Sequence, residues 1–405
     1  MKILMLTPYL PYPLLSGGQI RTYNLLKQLA TKHEITLFAL IKSENERQYI
    51  NHIKPFCKRI KVFKRSKKPF TTKNILKTFF STFPFLVIRN HVPEIINEVN
   101  KELANNTYDL IHSETFYMMP HIPQSNIPIL LVEQTIEYLG YQSYAKKHHP
   151  LIRKILSIDI KKIVKWENHY WKKADTLITM SADDKKFIQK QLDNPNKVKV
   201  VSNGVDTDWF AQKKRNLPTT PTILYVGTFK WLPNIEAVEY LVEKVWPLII
   251  RDLPQAKLKI VGNAPTNKIK RYQQSYENIE VTGKVKDIRE TFVTSHLLLA
   301  PVFSGKGTRY KILEAMASGT PIVASKIAVE GLNLINQKHA LITNDPKQMS
   351  KYVIQLISDK NLQKSLSENG KRFVSKHYDW KKISSDLDSI YQSMGNKTNP
   401  CQSTN

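Results

Sequence analysis

The stretch Leu297-Leu298-Leu299-Ala300-Pro301-Val302-Phe303-Ser304-Gly305-Lys306-Gly307-Thr308-Arg309-Tyr310-Lys311 passes from four apolar residues through a glycine-rich turn into a helical pattern. A short apolar run bounded by turn residues reads as a buried strand. A turn of this kind at a helix start presents backbone N–H groups, and the helix dipole favours an anion beside them. Arg309 and Lys311 add cations there, and a guanidinium can fork onto two phosphate oxygens. Glu314 lies on the next turn, near the face of Lys311 and Tyr310. A carboxylate at that point can accept hydrogen bonds from ribose hydroxyls beyond a diphosphate. The plainer reading is a surface turn followed by a Lys–Glu pair.

Working outward, the same strand-to-helix alternation recurs. Ile3–Leu6, Ile35–Leu40, Leu110–His112, Ile129–Val132 and Thr176–Thr179 read as buried strands, with helical stretches such as Ile20–Ala30 and Glu94–Ala104 between them. Alternation of this kind implies a parallel sheet covered on both faces. The pattern restarts after Asn194-Pro195. Ile223–Val226, Leu258–Val261, Ile279–Val281, Leu297–Ala300 and Pro321–Ala324 form a second series, separated by helical patterns at Asn234–Leu248 and Tyr310–Ala317. The expected organisation is an α/β domain over 1–195, a second over 196–380, a closing helix over 381–395 that packs back on the first domain, and a flexible tail over 396–405. Ligands of open parallel sheets bind outside the carboxyl ends of the strands. The loops Pro8–Arg21, Gly227–Asn234 and Pro301–Lys311 therefore come into view, and the cleft between two such domains is the expected site.

Composition narrows the class. The 405 residues carry 61 Lys+Arg against 34 Asp+Glu, a formal net charge of +27. Excess positive charge draws anionic partners, though a lysine-favouring genome also produces it. The basic residues gather in two early runs: Lys58, Arg59, Lys61, Lys64, Arg65, Lys67 and Lys68, then Lys146, Lys147, Arg153, Lys154, Lys161 and Lys162. They do not assemble with the aromatic residues into a nucleic-acid-binding motif, so no nucleic-acid partner is expected. Two cysteines, Cys57 and Cys401, exclude a disulfide framework or a cysteine metal cluster. The apolar start breaks at Pro8 and reads as a first strand rather than a signal peptide. No segment has the roughly 18 uninterrupted apolar residues of a membrane span, and a cytoplasmic location is expected.

The residues Gly305-x-Gly307-Thr308-Arg309-x-Lys311-x-Leu313-Glu314-Ala315-Met316-Ala317-x-Gly319-x-Pro321-Ile322-Val323, followed by Glu330-Gly331-Leu332, resemble the donor-site signature of family 4 (group 1) glycosyltransferases. The resemblance continues at Gly227-Thr228-Phe229-Lys230-Trp231-x-Pro233-Asn234, at Val281-x-Gly283-x-Val285 and at Pro13-x-x-x-Gly17-Gly18-x-x-Arg21, and so covers nearly the whole chain. It implies the GT-B fold: two Rossmann-like domains facing across a cleft, with the C-terminal helix crossing back to the first. It implies a retaining transfer of a sugar from a UDP- or GDP-sugar to a glycan or lipid-linked acceptor, in cell-surface polysaccharide or glycolipid synthesis. By position, Glu314 matches the glutamate that binds the ribose, Arg309 and Lys311 match cations near the diphosphate, Gly18 matches a backbone contact to it, and Gly283 and Val285 match the loop beside the base. Gly17, Arg21, Gly227, Lys230, Gly305, Lys306, Gly307, Thr308, Leu313 and Glu330 complete the expected donor-binding set. Neither metal nor cofactor is expected beyond the nucleotide diphosphate sugar itself as co-substrate, and no Asp-x-Asp stands in a suitable loop.

Two positions depart from the resemblance. Lys306 stands where many members carry a second glutamate that helps hold the sugar. Gln134, in Val132-Glu133-Gln134-Thr135-Ile136-Glu137, stands where related sequences place a histidine. Glutamine cannot serve as a general base, but it can donate and accept hydrogen bonds. In same-face attack the departing phosphate oxygen can take the acceptor's proton, so loss of the imidazole need not abolish turnover. His112, Glu133 and Glu137 are further candidates near it, and His112 reads equally as a satisfied strand-end histidine. Phe70–Asn90, with Phe79, Phe80, Phe83 and Phe85 among Lys73, Lys77 and Arg89, suits docking at an anionic membrane surface on the inner face, or else a buried helix and loop. The rivals are a nucleotide-sugar 2-epimerase of the same fold, a basic nucleic-acid-binding protein and a catalytically inactive sugar-nucleotide-binding scaffold. The sequence leaves the oligomeric state open.

Overall fold

A computed structural model describes residues 1–398 except Lys67, Pro69, Lys147 and Lys306, and excludes the side chains of 396–398. It divides into two compact units, one of Met1–Asn203 with the segment from Ile383 onward, the other of Gly204–Lys382.

In the first unit seven strands form one sheet: β1 (Lys2–Thr7), β2 (Glu34–Ile41), β3 (Arg59–Lys64), β4 (Leu110–Glu114), β5 (Ile129–Glu133), β6 (Thr176–Thr179) and β7 (Val198–Val200). Their order is β3-β2-β1-β4-β5-β6-β7, with every neighbouring pair parallel. The inner strands are buried residue after residue because helices cover both faces, as a parallel sheet requires. Two strands differ from the sequence reading. Edge strand β3 was hidden inside the first basic run, where Arg59 pairs with Glu102, Lys61 with Glu98 and Lys58 with Glu34. Much of that run is therefore neutralised locally, and charged side chains on an edge strand also discourage stray pairing. Strand β7 belongs to the first sheet, so residues 196–203 fall in the first unit. The expected boundary at 195 shifts to 203, because Val198 pairs with Leu177 and is fully buried.

The second unit holds β8 (Thr222–Val226), β9 (Lys257–Val261), β10 (Ile279–Thr282), β11 (Leu297–Ala300), β12 (Ile322–Ala324) and β13 (Leu341–Ile342), in the order β10-β9-β8-β11-β12-β13. Here too each neighbouring pair is parallel. The helix expected over Asn234–Leu248 runs as Leu232–Tyr240, a wider π turn at Leu241–Val245, and Trp246–Asp252. The last helix spans Trp380–Thr398, and its residues from Ile383 onward belong to the first unit.

Both sheets reverse strand order at one point, between β1 and β4 in the first and between β8 and β11 in the second. Loops leaving the carboxyl ends on either side of such a reversal diverge to opposite faces and open a crevice. The turns after β1, β4, β8 and β11 are thus where each unit can hold a ligand.

Candidate active site

In the second unit the turn from β11 reaches the helix Tyr310–Ser318 through Gly305 and Gly307, which have φ of 87° and 93°. Those values lie in the left-handed region, which glycine enters without the penalty a Cβ imposes. Arg309 occupies the N-cap position, and its guanidinium donates to the carbonyls of Ser304 (3.1 Å) and Gly305 (2.8 Å). Burial holds the Arg309 guanidinium below its usual range, with the charge of Glu330 working the other way. Ser304 also bonds Glu236, a carboxylate the sequence reading did not single out. Pro233 packs on Gly305, where an added Cβ would lie 2.8 Å from Pro233 Cγ.

Lys311 points inward. Its ammonium donates to Tyr225 Oη (3.0 Å) and Asn234 Oδ1 (2.9 Å), and it is 8% exposed. Burial, then the neighbouring charge of Arg309, push the ammonium down to about 7, while Glu314 raises it. Asn234 also donates to the Thr228 carbonyl at 2.8 Å and crowds Gly227, where a Cβ would meet Asn234 Cγ at 2.9 Å. Lys311 therefore ties the turn after β8 to the helix after β11. Glu314 makes no hydrogen bond or ion pair among the described residues, Lys311 included. Protein atoms crowd its carboxyl, yet part of it stays open, and burial pushes it up to about 7 against the pull of Lys311. Leu313 is fully buried in the core, which fixes the helix face that presents Glu314. Lys230 is exposed on the turn after β8, and Gly283 borders open space beside half-buried Val285. Lys306 lies outside the described residues.

The first unit assembles a different arrangement around the helix Gly17–Leu29, which Ser16 caps. Gly18 sits so close to two side chains that a Cβ would meet Tyr9 Oη at 2.5 Å and Gln134 Oε1 at 2.7 Å. Gln134 Nε2 donates to Tyr9 Oη (2.7 Å) and to Glu114 Oε2 (2.7 Å). The other oxygen of Glu114 faces His112 Nε2 at 3.3 Å, and His112 Nδ1 lies 2.5 Å from Tyr391 Oη on the last helix. Arg21 is fully buried and donates to the Ser202 carbonyl (2.8 Å) and to Asn203 (3.3 Å). Burial alone would raise the Glu114 carboxyl. The hydrogen bond and charge of His112, the charge of Arg21 and the bond from Gln134 together outweigh it and hold the group below its usual value. Glu114 is therefore a buried carboxylate. His112 is fully buried with both ring nitrogens engaged, so it stands behind Glu114 rather than on an open face. Of the other candidates, Glu133 bonds Trp171 Nε1 at 3.0 Å in the interior, and burial pushes Glu137 up to about 7.

Residues 15–209 match the model of glycosyltransferase family 4, and residues 220–359 match that of the group 1 glycosyl transferases. The chain is a group 1, family 4 glycosyltransferase. Among relatives, this glycosyltransferase is 22% identical over 95% of its length, and 98% of the other's, to an uncharacterised 44.6 kDa protein in the cps region of Klebsiella pneumoniae. Its fold resembles that of a sucrose-phosphate synthase from Thermosynechococcus elongatus, with a TM-score of 0.72, 18% identity and coverage of 97% and 99% of the two chains. It also resembles HepE of Anabaena in complex with UDP, with a TM-score of 0.65, 15% identity and coverage of 97% and 100%. These likenesses show the two-domain GT-B architecture. Within the second unit of the glycosyltransferase Lys311 joins the turn after β8 to the helix after β11, and within the first Gln134 lies against Gly18 and Tyr9. Missed were Tyr9, Glu114 and Tyr391 in the first unit, and Tyr225 and Glu236 in the second, while Asn234 was quoted in a motif without a role. A glutamate ending a strand, as Glu114 does, was the one available signal. Among the described residues no group of three or more His, Cys, Asp or Glu is placed to hold a metal ion.

Proposed function

We propose that the enzyme is a retaining transferase that moves a sugar from a UDP- or GDP-sugar to a glycan or lipid-linked acceptor in cell-surface polysaccharide or glycolipid synthesis. The observation that carries this reading is the pairing of Arg309 at a helix N-terminus with the partly open Glu314, without a partner among the described residues, one turn further on. An anionic diphosphate suits the first, and ribose hydroxyls suit the second. The UDP held by the Anabaena structure of the same fold adds support. In the proposed step the bond between the anomeric carbon and the diphosphate oxygen breaks, and a bond from the acceptor oxygen forms on the same face. The acceptor's proton passes to the departing phosphate oxygen, giving a glycoside and a nucleoside diphosphate. Arg309 and the turn of Gly305–Thr308, braced by Lys311, stabilise the charge that builds on the leaving group, with Gly17 and Gly18 assisting, and no metal or further cofactor is required. Lys230, Gly283, Val285 and Glu330 line the donor, Arg21 anchors the first unit's crevice, and Gln134, held by Glu114, orients the sugar or acceptor. Thermal-shift titration with UDP, GDP and DNA tests the donor: stabilisation by one nucleoside diphosphate alone is expected, and equal stabilisation by DNA would overturn it. Release of free sugar from the matching donor then separates an enzyme from a binding scaffold.

Peripheral docking on an anionic, inner membrane face belongs to the same reading. Phe70, Phe79 and Phe80 are 76%, 74% and 82% exposed, and Leu151 and Ile155 are each 69% exposed on the helix Pro150–Lys173. Lys162 of that helix donates to the carbonyls of Thr78 and Ser81 at 2.6 Å, which joins the two apolar segments into one surface. Lys73, Lys77, Arg153 and Lys154 interleave with it, and basic residues among exposed apolar ones match an anionic headgroup layer. No helix among the described residues is long and apolar enough to cross a membrane. Flotation with anionic vesicles should show salt-sensitive binding, and recovery of all protein in the unbound fraction at low salt would remove the idea.

A further inference from the structure

Two half-buried arginines of the first unit, Arg65 and Arg89, stand apart from the arginines that form ion pairs. Arg59, Arg47, Arg251 and Arg289 each contact a carboxylate. Arg65 and Arg89 contact none within ion-pair distance among the described residues. Arg65 donates to Asn90 Oδ1 at 2.6 Å, which brings its guanidinium beside the residue next to Arg89. Arg89 makes no side-chain hydrogen bond among the described residues, and the Nε atoms of both arginines are buried without an acceptor. The two like charges lie close enough that Arg89 lowers the proton affinity of Arg65. Half-burying two repelling guanidinia is costly, and Glu46 and Glu137 offset their charge only from beyond ion-pair distance. A doubly charged oxyanion would relieve the repulsion and fill the vacant donors.

The surroundings say what kind of oxyanion fits. Arg65 directly follows β3, Tyr117 lies just past the end of β4, and Glu137 lies past the end of β5, so all three come from the carboxyl edge of one sheet. Tyr117 and Glu137 both feel the charge of Arg89, yet neither carboxylate nor phenol binds it directly. Glu137 stands three residues beyond Gln134, on the same exit from β5 as the Gly18 crevice. On the other side Phe85, four residues before Arg89, stacks on exposed Phe70 at 5.0 Å between ring centres.

We propose that Arg65 and Arg89 form a phosphate subsite, and that the acceptor of the transfer carries a phosphate or diphosphate seated there. The assignment to the acceptor rests on the glycosyltransferase reading, whereas the subsite itself does not. A phosphate there, close to the basic apolar surface of Phe70 and Phe79, suits a lipid phosphate; a phosphorylated glycan shares the same chemistry.

The test is thermal-shift titration with inorganic pyrophosphate at constant ionic strength, on the wild type, Arg65→Gln/Arg89→Gln and Arg309→Gln. Wild type should be stabilised, Arg309→Gln should keep part of the response, and the double variant should bind the second pyrophosphate roughly tenfold to a hundredfold more weakly. An undiminished response in the double variant, or one lost wholly with Arg309→Gln, would overturn the subsite. If the double variant does not fold, Arg89→Gln serves alone, since that side chain has no hydrogen bond to lose among the described residues. Comparing glycerol 3-phosphate with a short isoprenyl phosphate assigns the source. Tighter isoprenyl phosphate binding that weakens in Phe79→Ser/Phe80→Ser supports a lipid acceptor, and equal affinities support a glycan phosphate. A protein that answers pyrophosphate through Arg65 and Arg89 but ignores UDP and GDP would sink the donor reading and leave the subsite standing.

Discussion

The two units meet charge in opposite ways. In the second, the Pro301–Arg309 turn is shaped by two glycines of positive φ, and Arg309 folds onto carbonyls only four and five residues away. Glu314 is left without a partner among the described residues. In the first, polar groups are closed into a chain: Gln134 reaches Tyr9 across 125 positions, and His112 reaches Tyr391 across 279. One crevice leaves a half-open carboxyl without a partner among the described residues, and the other spends its hydrogen bonds on holding Gln134 in place. A local device of the first kind leaves a motif in the sequence; a long-range network of the second kind does not.

The largest effect that would break this contrast is expected in the second unit. Arg309→Ala and Glu314→Ala should each lower sugar transfer by roughly 10²–10³, the usual loss for one preorganised donor or positioning group. Denaturation midpoints should stay near wild type, and near-normal turnover in both variants would place the donor elsewhere. Next comes Gly18→Ala, whose Cβ would strike Tyr9 Oη and Gln134 Oε1. Both are side-chain ends that can move, so transfer should fall about tenfold while stability falls by about 1 kcal/mol. Steady-state kinetics beside urea unfolding would show whether the close approach matters to catalysis or only to packing. Smaller again, Tyr391→Phe removes the partner of a buried imidazole nitrogen and should cost about 1–2 kcal/mol in urea unfolding. A fall in transfer larger than that stability loss explains would show that the chain from Tyr391 through His112 and Glu114 positions Gln134.

The smallest effect is a slope. Glu314 is raised from 4.5 to about 7, so the folded state binds its proton more tightly than the unfolded state does. Stability should therefore decline as pH rises from about 4.5 to 7, because ionising the crowded carboxyl disfavours folding. Lys311, lowered to about 7 from 10.5, acts in the other direction and adds stability as pH climbs from about 7 towards 10.5. Glu314→Gln should flatten the lower limb alone in thermal melts taken across that range. An unchanged lower limb would mean that the carboxyl is better solvated than its crowding implies.

Much of this contrast was legible before any coordinates. The inner strands announced themselves as apolar runs, and the Gly305–Glu314 spacing placed a cation and a carboxylate on successive helical turns. Edge strand β3 was not legible, since Arg59, Lys61 and Lys64 read as a charge run rather than as the solvated side chains of a strand. Strand β7 follows the turn signal at Asn194-Pro195, which assigned its apolar run to the second domain instead of to the edge of the first sheet. Lys311 was expected to face the diphosphate, but its contacts with Tyr225 and Asn234, 86 and 77 positions away, turn it into a brace for that loop. Nothing in local spacing encodes such contacts. Glu114 and Tyr391 escaped for the same reason: a glutamate closing a strand and a tyrosine on an amphipathic helix are common, and only the fold brings them together through His112.

The helix Trp380–Thr398 has a further consequence for how the protein is made. Its residues Asp388 and Tyr391 complete contacts with His33 and His112, yet all of Gly204–Lys382 is synthesised between those partners. Domains commonly fold in order of synthesis, and distant contacts close slowly. Here the continuous second unit can finish first, while the first waits, with two histidines lacking their partners, until this helix has left the ribosome. A ribosome stalled short of Asp388 would hold a chain whose earlier-made half is the immature one.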